Sequence, residues 1–341
     1  MAIDLKQLSA RLGLSPTTVS RALNGYTDVS EATRARVMEA ARELGYQPNL
    51  AARRLALGRA DAVGIVYPVD TDFMGNPLFL EMIAGVSDRL DDAGIDVLLA
   101  VAREKTELRT YERLVRGRRV DGLIVAHTRV VDERVEYLKR VGFPFVGYGR
   151  TGSPEGFAWL DFDNEAGSVE AVRRMVALGH RRIAYVHAPL AMNFAAQRHA
   201  GFLRGMAEAG IAVRPEYVVP GSLDRRGGYA SGRQLLALPE RPTAILVDNN
   251  LGGVGVVRAL LQAGIAIGRE VSVVVNDGVP PDTLLIGQDV AGVTQPTAYE
   301  SGQTMAGMLL TLIDGKPLEQ PQVLRQPVFV DGTSLGPAPT A

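Results

Sequence analysis

The chain has no cysteine, a single tryptophan and only four histidines among its 341 residues. The absence of cysteine excludes disulfides, thiolate metal sites and cysteine nucleophiles. The histidines are scattered along the sequence, so no metal site is predicted. No apolar run approaches the roughly 18 residues that cross a bilayer. The first residues lack the basic region and apolar core of a secretory signal, and we expect a cytoplasmic protein that does not bind a membrane.

Motifs of common catalytic and nucleotide-binding sites are also missing. The sequence contains no P-loop, no dinucleotide-binding glycine motif at a strand end and no zinc-protease motif. The cluster Gly252–Gly255 lacks the third glycine of a dinucleotide site and is typical of close helix–sheet packing. We therefore predict a protein that is not an enzyme and has no catalytic residues, metal or cofactor.

Charge is unevenly distributed along the chain. Residues 1–60 carry nine Lys and Arg against five Asp and Glu, a net charge of +4. The remaining residues carry 28 against 33, a net charge of −5. A basic segment joined to an acidic body is typical of a phosphate-binding module attached to another domain. Because the chain has 33 arginines and only four lysines, a single arginine is weak evidence of function.

The basic segment has the pattern of a helix-turn-helix. A first helix presents a leucine stripe on one face and ends at Gly13. Ser15 can cap a second helix, whose first position suits a proline because the missing N–H is not needed there. The outer face of this second helix, where a recognition helix meets base edges, carries Pro16, Thr17, Ser20 and Arg21. A small structural helical hairpin is the alternative, and the basic charge favours DNA binding.

Two further helices are predicted before the pattern changes. Ser30 can cap a third helix that extends to about Gly45. Asn49 can cap a short helix from Leu50 to Leu57. This segment is too short to be stable alone in water. We expect it to fold only when DNA or a second copy of the chain packs on it.

From Asp61 onward, apolar strands alternate with amphipathic helices. The predicted strands are Ala62–Tyr67, Ile95–Val101, Gly122–Ala126, Phe145–Gly147, Arg182–His187, Ala244–Asp248 and Val271–Asn276. The predicted helices include Phe79–Asp92, Glu107–Gly117, Ala166–Leu178 and Gly253–Ala263. Such alternation favours parallel sheets covered on both faces. The segment is large for one open sheet, so we predict two α/β lobes with a ligand site in the cleft between them.

Several motifs at fixed spacing carry a resemblance over essentially the whole chain. They are Leu14–Gly25, Val29-Ser30, Gly45–Asn49, Asp163-Asn164, Leu178–Ile183, Arg198-x-x-Gly201-Phe202 and Pro242–Ile245. In these motifs the chain resembles the lactose-repressor (LacI) family of transcriptional regulators, in particular regulators of α-glucoside or similar sugar catabolism.

The resemblance implies an N-terminal all-α helix-turn-helix head with a hinge helix, followed by an α/β core of two Rossmann-like lobes similar to periplasmic binding proteins. It places the head at 1–46, the hinge at 47–60 and the core at 61–341. The N-lobe would comprise about 61–160 and 291–325, and the C-lobe about 161–290 and 326–341. It also implies a homodimer on a pseudo-palindromic double-stranded DNA operator.

The resemblance places DNA contacts in the second helix and in the hinge. It implies that Pro16, Thr17 and Arg21 read bases in the major groove, and that Thr18, Ser20 and Asn24 contact phosphates. Leu55, with Ala52 on the same face, would form an apolar wedge in the minor groove. The alternative is that Leu55 is a buried staple of the short helix. An exposed hinge offers little core to bury it, which favours the wedge.

The resemblance also implies an effector site in the cleft. Its residues are Pro77 and Phe79 from the first lobe, Arg198, Asn249, Asp277 and Gln295, with Trp159 and Asp161 from a lobe crossover. A carboxylate, a guanidinium and amides that converge with aromatic faces suit a sugar. Strand-end capping is the alternative role for Asp277 and Asn249, and a core position is the alternative for Trp159.

Two departures from the family pattern bear on the ligand. Gly149, followed by Arg150, stands where many members carry an acid, and Thr297 stands where some carry an aromatic residue. We therefore expect a pocket different from a galactoside site. The expected function is a repressor of carbohydrate-utilisation genes controlled by a sugar effector. A purine-type corepressor-dependent regulator and a sugar-binding protein that acts without DNA are the alternatives.

Overall fold

The structure is a computed structural model that describes residues 3–23, 26–46, 58–68, 76–221, 223–279, 283 and 289–340. Contacts divide the chain into two units, Met1–Ala60 and Asp61–Ala341. The second unit begins where the sequence changes from helices alone to alternating strands and helices. No helix in the described ranges is both long enough and apolar enough to span a membrane.

The described part of the first unit, residues 3–23, 26–46 and 58–60, contains three helices: α1 (Leu5–Leu12), α2 (Pro16–Leu23) and α3 (Glu31–Glu43). Asp4 and Gln7 form a reciprocal capping box at the start of α1, and Ser30 caps α3. Gly13 ends α1 in the left-handed conformation, φ +67°, which glycine adopts without steric cost. The apolar stripes meet in a small core of Leu8, Val19, Ala22, Val37 and Ala41.

The second unit contains two six-stranded sheets. The strands are β1 (Ala62–Pro68), β2 (Asp96–Ala102), β3 (Gly122–Val125), β4 (Phe145–Tyr148), β5 (Ala158–Phe162), β6 (Ile183–His187), β7 (Val218–Pro220), β8 (Ala244–Val247), β9 (Ser272–Asn276), β10 (Ala291–Thr294), β11 (Gln322–Arg325) and β12 (Val328–Val330). The first sheet has the order β11-β5-β4-β3-β1-β2 and is entirely parallel. The second has the order β12-β10-β9-β8-β6-β7, and only β12 is antiparallel to its neighbour.

Helices cover the faces of both sheets, as the strand–helix alternation predicts. They are α4 (Pro77–Asp91), α5 (Glu107–Arg116), α6 (Glu133–Val141), α7 (Asn164–Ala177), α8 (Asn193–Glu208), α9 (Arg225–Leu236), α10 (Asn250–Gln262) and α11 (Ala298–Ile313), with short 3-10 turns at Glu104–Thr106 and Pro215–Tyr217. Helices α4 to α6 and α11 belong to the first lobe, and α7 to α10 belong to the second. The predicted two-lobed α/β architecture is confirmed.

The lobe boundaries differ from the sequence-based division at two places. Asp161 and Phe162 complete β5 of the first sheet, although the division assigned them to the C-lobe. Ala291–Thr294, assigned to the N-lobe, is β10 and pairs in parallel with β9 in the second sheet. The chain therefore returns to the first lobe after Thr294, because this apolar strand satisfies its backbone groups against the second sheet before α11 begins.

Helices α4 and α11 pack closely because glycines lie at their contact. A Cβ on Gly302 would overlap the carbonyl oxygen of Met82, whereas a Cβ on Gly307 of the same helix would meet only Arg89 Nε, at 3.7 Å. We expect Gly302→Ala to lower the free energy of unfolding by about 1–3 kcal/mol, since the helices must separate. Gly307→Ala should raise it by roughly 0.5–1 kcal/mol, because alanine favours helix interiors. Urea denaturation checks both values, and equal effects would contradict this packing.

Candidate functional site

The main cavity of the second unit lies between its two lobes, where strands of both sheets end. Its volume is about 160 Å³, more than ten times the ~10–15 Å³ that one water needs. Residues that line it follow the carboxyl ends of β3, β4, β8, β9 and β10. This is where parallel sheets place their ligands. The space and its position suit a small organic molecule.

The Arg198 side chain of α8 makes four hydrogen bonds at the cavity. Its guanidinium donates to both carboxylate oxygens of Asp277, at 2.8 and 3.1 Å. Nε donates to Asn164 Oδ1 at 2.9 Å, and Nη1 also donates to the carbonyl of Asp248. Burial acts to lower the pKa of Arg198, but the Asp277 carboxylate raises it above its usual value. The guanidinium is therefore a fixed and permanently charged donor.

Asp161 and Arg150 form a second ion pair on the first lobe. Arg150 Nη1 lies 3.2 Å from Asp161 Oδ2, and the backbone N–H of Arg150 donates to the same oxygen at 3.2 Å. The other carboxylate oxygen accepts from Phe162 N at 2.8 Å and from Asn164 Nδ2 at 3.3 Å. Burial raises the pKa of Asp161, and Arg150 opposes that shift. Asn164 therefore touches both ion pairs of the cavity.

Asn249 and Asn250 reach the cavity from the start of α10. Asn249 Oδ1 accepts from Gly252 N at 2.8 Å, so this side chain caps the helix and also lines the cavity. Asn250 Nδ2 donates to Asn76 Oδ1 of the first lobe at 2.9 Å. The two readings of Asn249 from sequence, cap and pocket, are thus compatible, and an amide pair joins the lobes at the cavity.

Aromatic rings also line the cavity. The rings of Tyr67 and Phe79 have centroids 3.7 Å apart. Tyr148, Phe162 and Phe194 also line the cavity. Rings beside convergent polar groups match the amphipathic faces of a sugar.

Six of the eight sequence-predicted effector residues line this cavity: Phe79, Asp161, Arg198, Asn249, Asp277 and Gln295. Two do not. Pro77 occupies the first position of α4, beside the capping residue Asn76 that does line the cavity. The indole N–H of Trp159 donates to Pro154 O at 3.0 Å, and its buried ring lies in the core, beneath the Arg150 guanidinium.

The two departures from the family pattern have structural reasons. Gly149 has φ +104°, and a Cβ there would meet Thr128 Oγ1 at 2.6 Å, so an acid at this position would strain the backbone and displace Thr128. Thr297 caps α11 in a reciprocal box with Glu300 and does not line the cavity. The side chain that enters the cavity at this point of the first lobe is therefore Arg150.

Sequence reasoning missed several lining residues: Tyr67, Asn76, His127, Thr128, Tyr148, Arg150, Asn164, Phe194 and Asn250. Most follow a strand or begin a helix, which was the available signal. His127 is partly buried, and burial, aided by Arg134, lowers its pKa to about 4. It is therefore neutral at pH 7 and contributes no charge to the cavity.

Asp248 is a fully buried carboxylate behind the cavity. It accepts from Tyr185 Oη and Ala188 N, both at 2.9 Å. Burial raises its pKa from 3.8 to about 6, although Arg198 and these hydrogen bonds oppose the shift. The folded state therefore binds this proton more tightly than the unfolded state does. Ionisation of Asp248 therefore lowers the free energy of unfolding as pH rises from about 4 to about 6, and this loss remains at higher pH.

We expect Asp248→Asn to raise the free energy of unfolding by roughly 3 kcal/mol above pH 6. The gain should vanish below about pH 4, where the wild-type carboxyl is protonated in both states. The lowered pKa of His127 acts in the opposite direction over the same range, so only the difference between variant and wild type is informative. Urea unfolding at pH 4 and pH 8 measures this difference. A gain that does not change with pH would contradict the titration.

The first unit exposes the predicted recognition face. Pro16, Thr17 and Arg21 are exposed, and Thr18 and Ser20 are partly exposed. Thr18 also donates its N–H to Ser15 Oγ at 3.0 Å. The remaining predicted DNA contacts, Asn24, Ala52 and Leu55, lie outside the described residues, as does the predicted helix Leu50–Leu57. All these roles stay predictions.

Arg21 is held by its neighbours on this face. Nη2 lies 2.5 Å from Asp28 Oδ2, Nε donates to Asp28 Oδ1 at 3.2 Å, and the guanidinium lies 5.0 Å from the ring centre of Tyr26. About half of each charged side chain remains exposed. The guanidinium is thus oriented but accessible, as two-point contact with a base edge requires.

Both units of the chain match known protein families. Residues 5–49 match bacterial regulatory proteins of the lacI family, and residues 60–332 match the periplasmic binding proteins and sugar binding domain of LacI family. The HTH-type transcriptional regulator RafR of Escherichia coli is 40% identical over 336 residues, 98% of each chain.

Two solved structures are also similar over nearly the full length. The transcriptional regulator CelR–cellobiose complex has a TM-score of 0.73 at 28% identity and covers 97% of this chain and 99% of that one. The lac repressor dimer bound to operator and the anti-inducer ONPF has a TM-score of 0.83 at 25% identity and covers 98% and 99%.

Proposed function

The chain belongs to the lacI family of bacterial regulatory proteins, and on that premise we propose that it represses carbohydrate-utilisation genes under the control of a sugar effector. In this proposal the first unit binds a specific operator and the second binds the sugar between its lobes. The single observation that carries it is the cavity, which is lined both by the fixed donor–acceptor pair of Arg198 and Asp277 and by aromatic rings.

The chemistry of the cavity supports a sugar as the effector. Adjacent hydroxyls of a sugar ring can accept from a guanidinium and donate to a carboxylate at the same time. The apolar faces of the ring pack on aromatic side chains such as Phe79 and Phe194. The CelR relative is solved with cellobiose, which is consistent with a sugar in this fold.

The exposed face of α2 supports DNA binding. It lies on the basic part of the chain and presents Thr17 and an oriented Arg21. The relatives RafR and CelR are named as transcriptional regulators. From this we also propose that the protein is not an enzyme and acts in the cytoplasm.

An exposed apolar patch supports a homodimer. Strand β2 is the edge of the first sheet, and its Leu99 and Val101 are 40% and 45% exposed. Leu80 on the adjacent α4 is 60% exposed. A second copy of the chain would cover this patch and place two heads on a pseudo-palindromic operator.

Selection from a random duplex library with the purified full-length chain tests the DNA part of the proposal. The expected result is enrichment of an inverted-repeat sequence, and a chain lacking residues 1–60 should enrich nothing. If the full-length chain selects no DNA sequence but still binds sugars, the protein is a sugar-binding protein that acts without DNA and not a regulator.

A further inference from the structure

We infer that the effector is an uncharged polyhydroxylated molecule, and that Asp161 and Asp277 exclude anionic sugars such as sugar phosphates. The inference rests on the proposed function and narrows the ligand class of the same cavity. It depends on how the charged side chains of the cavity are paired.

The second lobe contributes a closed pair. Arg198 directs two guanidinium nitrogens at the two oxygens of Asp277 and a third, Nε, at Asn164. Its side chain is only 4% exposed, whereas that of Asp277 is 21% exposed. The carboxylate is therefore the more accessible member of this pair. An incoming anion would approach the carboxylate of Asp277 before the anion could displace that carboxylate from Arg198.

The first lobe contributes an open pair. Arg150 Nη1 lies 3.2 Å from Asp161 Oδ2, which is close enough for an ion pair. This nitrogen is buried, and among the described residues it has no hydrogen-bond partner. Its charge is thus balanced while its N–H groups remain to be satisfied. The Arg150 side chain is 20% exposed and lines the cavity, so a ligand hydroxyl can approach it without adding a charge to the cavity.

Asn164 connects the two pairs. Its Nδ2 donates to Asp161 Oδ1 at 3.3 Å, and its Oδ1 accepts from Arg198 Nε at 2.9 Å. The resulting network alternates donors and acceptors from one lobe to the other, and its formal charge is zero. Such a network binds a hydroxylated ligand by exchanging hydrogen bonds rather than by neutralising a charge.

Among the described residues that line the cavity, none besides Arg150 and Arg198 is a permanent cation. The other polar lining residues are amides, hydroxyls and His127, which is neutral at pH 7. Asp248 behind the cavity is largely ionised at pH 7 and adds negative charge. The segments 69–75, 280–282 and 284–288, which lie outside the described residues, contain no lysine or arginine. An anion would therefore be buried without a partner of opposite charge.

Calorimetric titration of the full-length chain at pH 7.5 tests the inference. The probes are maltose, sucrose, trehalose, melibiose and cellobiose, with the 6-phosphates of maltose, sucrose and trehalose. We expect a neutral sugar to bind and every phosphorylated probe to bind at least about 100-fold more weakly, since an unpaired buried charge costs at least two decades of affinity. A 6-phosphate that binds as tightly as its neutral counterpart, or a phosphate as the only ligand, overturns the inference.

Two variants test the role of the carboxylates directly. Asp161→Asn frees the charge of Arg150, and Asp277→Asn frees that of Arg198. In each variant, the affinity for the neutral sugar divided by the affinity for its phosphorylated counterpart should fall by at least about tenfold. Asp331→Asn, which removes an exposed carboxylate from the surface pair with Arg174, should leave the ratio unchanged. An unchanged ratio in both cavity variants, with thermal unfolding like that of the wild type, contradicts the inference.

These outcomes are separate from those of the proposed function. If the full-length chain does not select DNA, the proposed role as a regulator is overturned, but the proposed charge selectivity of the cavity is not. If the chain selects DNA but binds a sugar phosphate tightly, the proposed role as a regulator stands, and only the inference of an uncharged effector is overturned.

Discussion

Arg21→Ala is expected to lower operator affinity about 30-fold to 10,000-fold while effector affinity stays unchanged. One base-edge contact by an arginine is worth about 1–3 kcal/mol, and a homodimer carries two copies of Arg21. The expected effect is therefore larger than that of losing a phosphate contact. Discrimination should also relax at one base pair in each half-site, because only a base contact reads sequence.

The structure supports this expectation through the surroundings of Arg21. Asp28 and Tyr26 hold the guanidinium on the exposed face of the first unit, so little conformational freedom is lost on binding. Binding to the operator selected from the random library, and to single-base substitutions of it, measures affinity and discrimination together.

Arg42→Ala is the matched control for charge. Arg42 is 79% exposed on α3, pairs with Glu39, and removing it subtracts the same charge from the basic unit. It should weaken binding slightly and equally for all sequences. If both variants lose affinity equally and neither changes base preference, Arg21 does not read bases.

Asp277→Ala is expected to weaken effector binding about 30-fold to 5,000-fold and to leave operator binding without effector unchanged. Removing one partner of a buried, hydrogen-bonded charge pair costs about 2–5 kcal/mol. Here the change removes an acceptor for ligand hydroxyls and leaves Arg198 with its charge uncompensated.

The backbone of Asp277 limits the side effects of this change. The residue adopts φ +67°, a conformation that alanine tolerates less well than aspartate, so Asp277→Asn serves as the second variant. Titration with the neutral sugar that the wild type binds measures the loss. Equal damage to sugar and operator binding would indicate misfolding of the core rather than a pocket role.

Much of the fold could be predicted because strong patterns determine it. The seven predicted strands and four predicted core helices occur within three residues of their expected ends. Apolar runs such as Gly122–Val125 and Ala244–Val247 are buried on both faces, which produces a signal that no surface strand gives. The capping residues Ser15 and Ser30 marked the starts of α2 and α3 in the sequence.

The weaker elements could not be predicted in the same way. Strands β11 and β12 alternate between exposed and half-buried residues and have three or four residues each, so no apolar run marks them. Strand β10 has the sequence AGVT, which is only four residues long and has small side chains, so its pattern cannot be distinguished from that of a loop. The lobe boundary was therefore misplaced at residue 291.

The resemblance to the family implied an effector role for Arg198, Asp277 and Asn249, and all three line the cavity. Trp159 was misleading because aromatic character alone does not show which side of a sheet a ring occupies. Arg150 was passed over because arginine is so common in this chain, and only the structure shows its nitrogen at the cavity.

If this protein couples DNA binding to sugar binding, each ligand must change the affinity for the other by the same factor. The measurement is the operator affinity of the full-length chain with and without saturating neutral sugar, together with the sugar affinity with and without saturating operator. The account predicts the same factor in both directions, about 5-fold to 150-fold, with the sugar weakening operator binding. Tighter operator binding with sugar would show a corepressor instead. Affinities that do not affect each other would contradict the account.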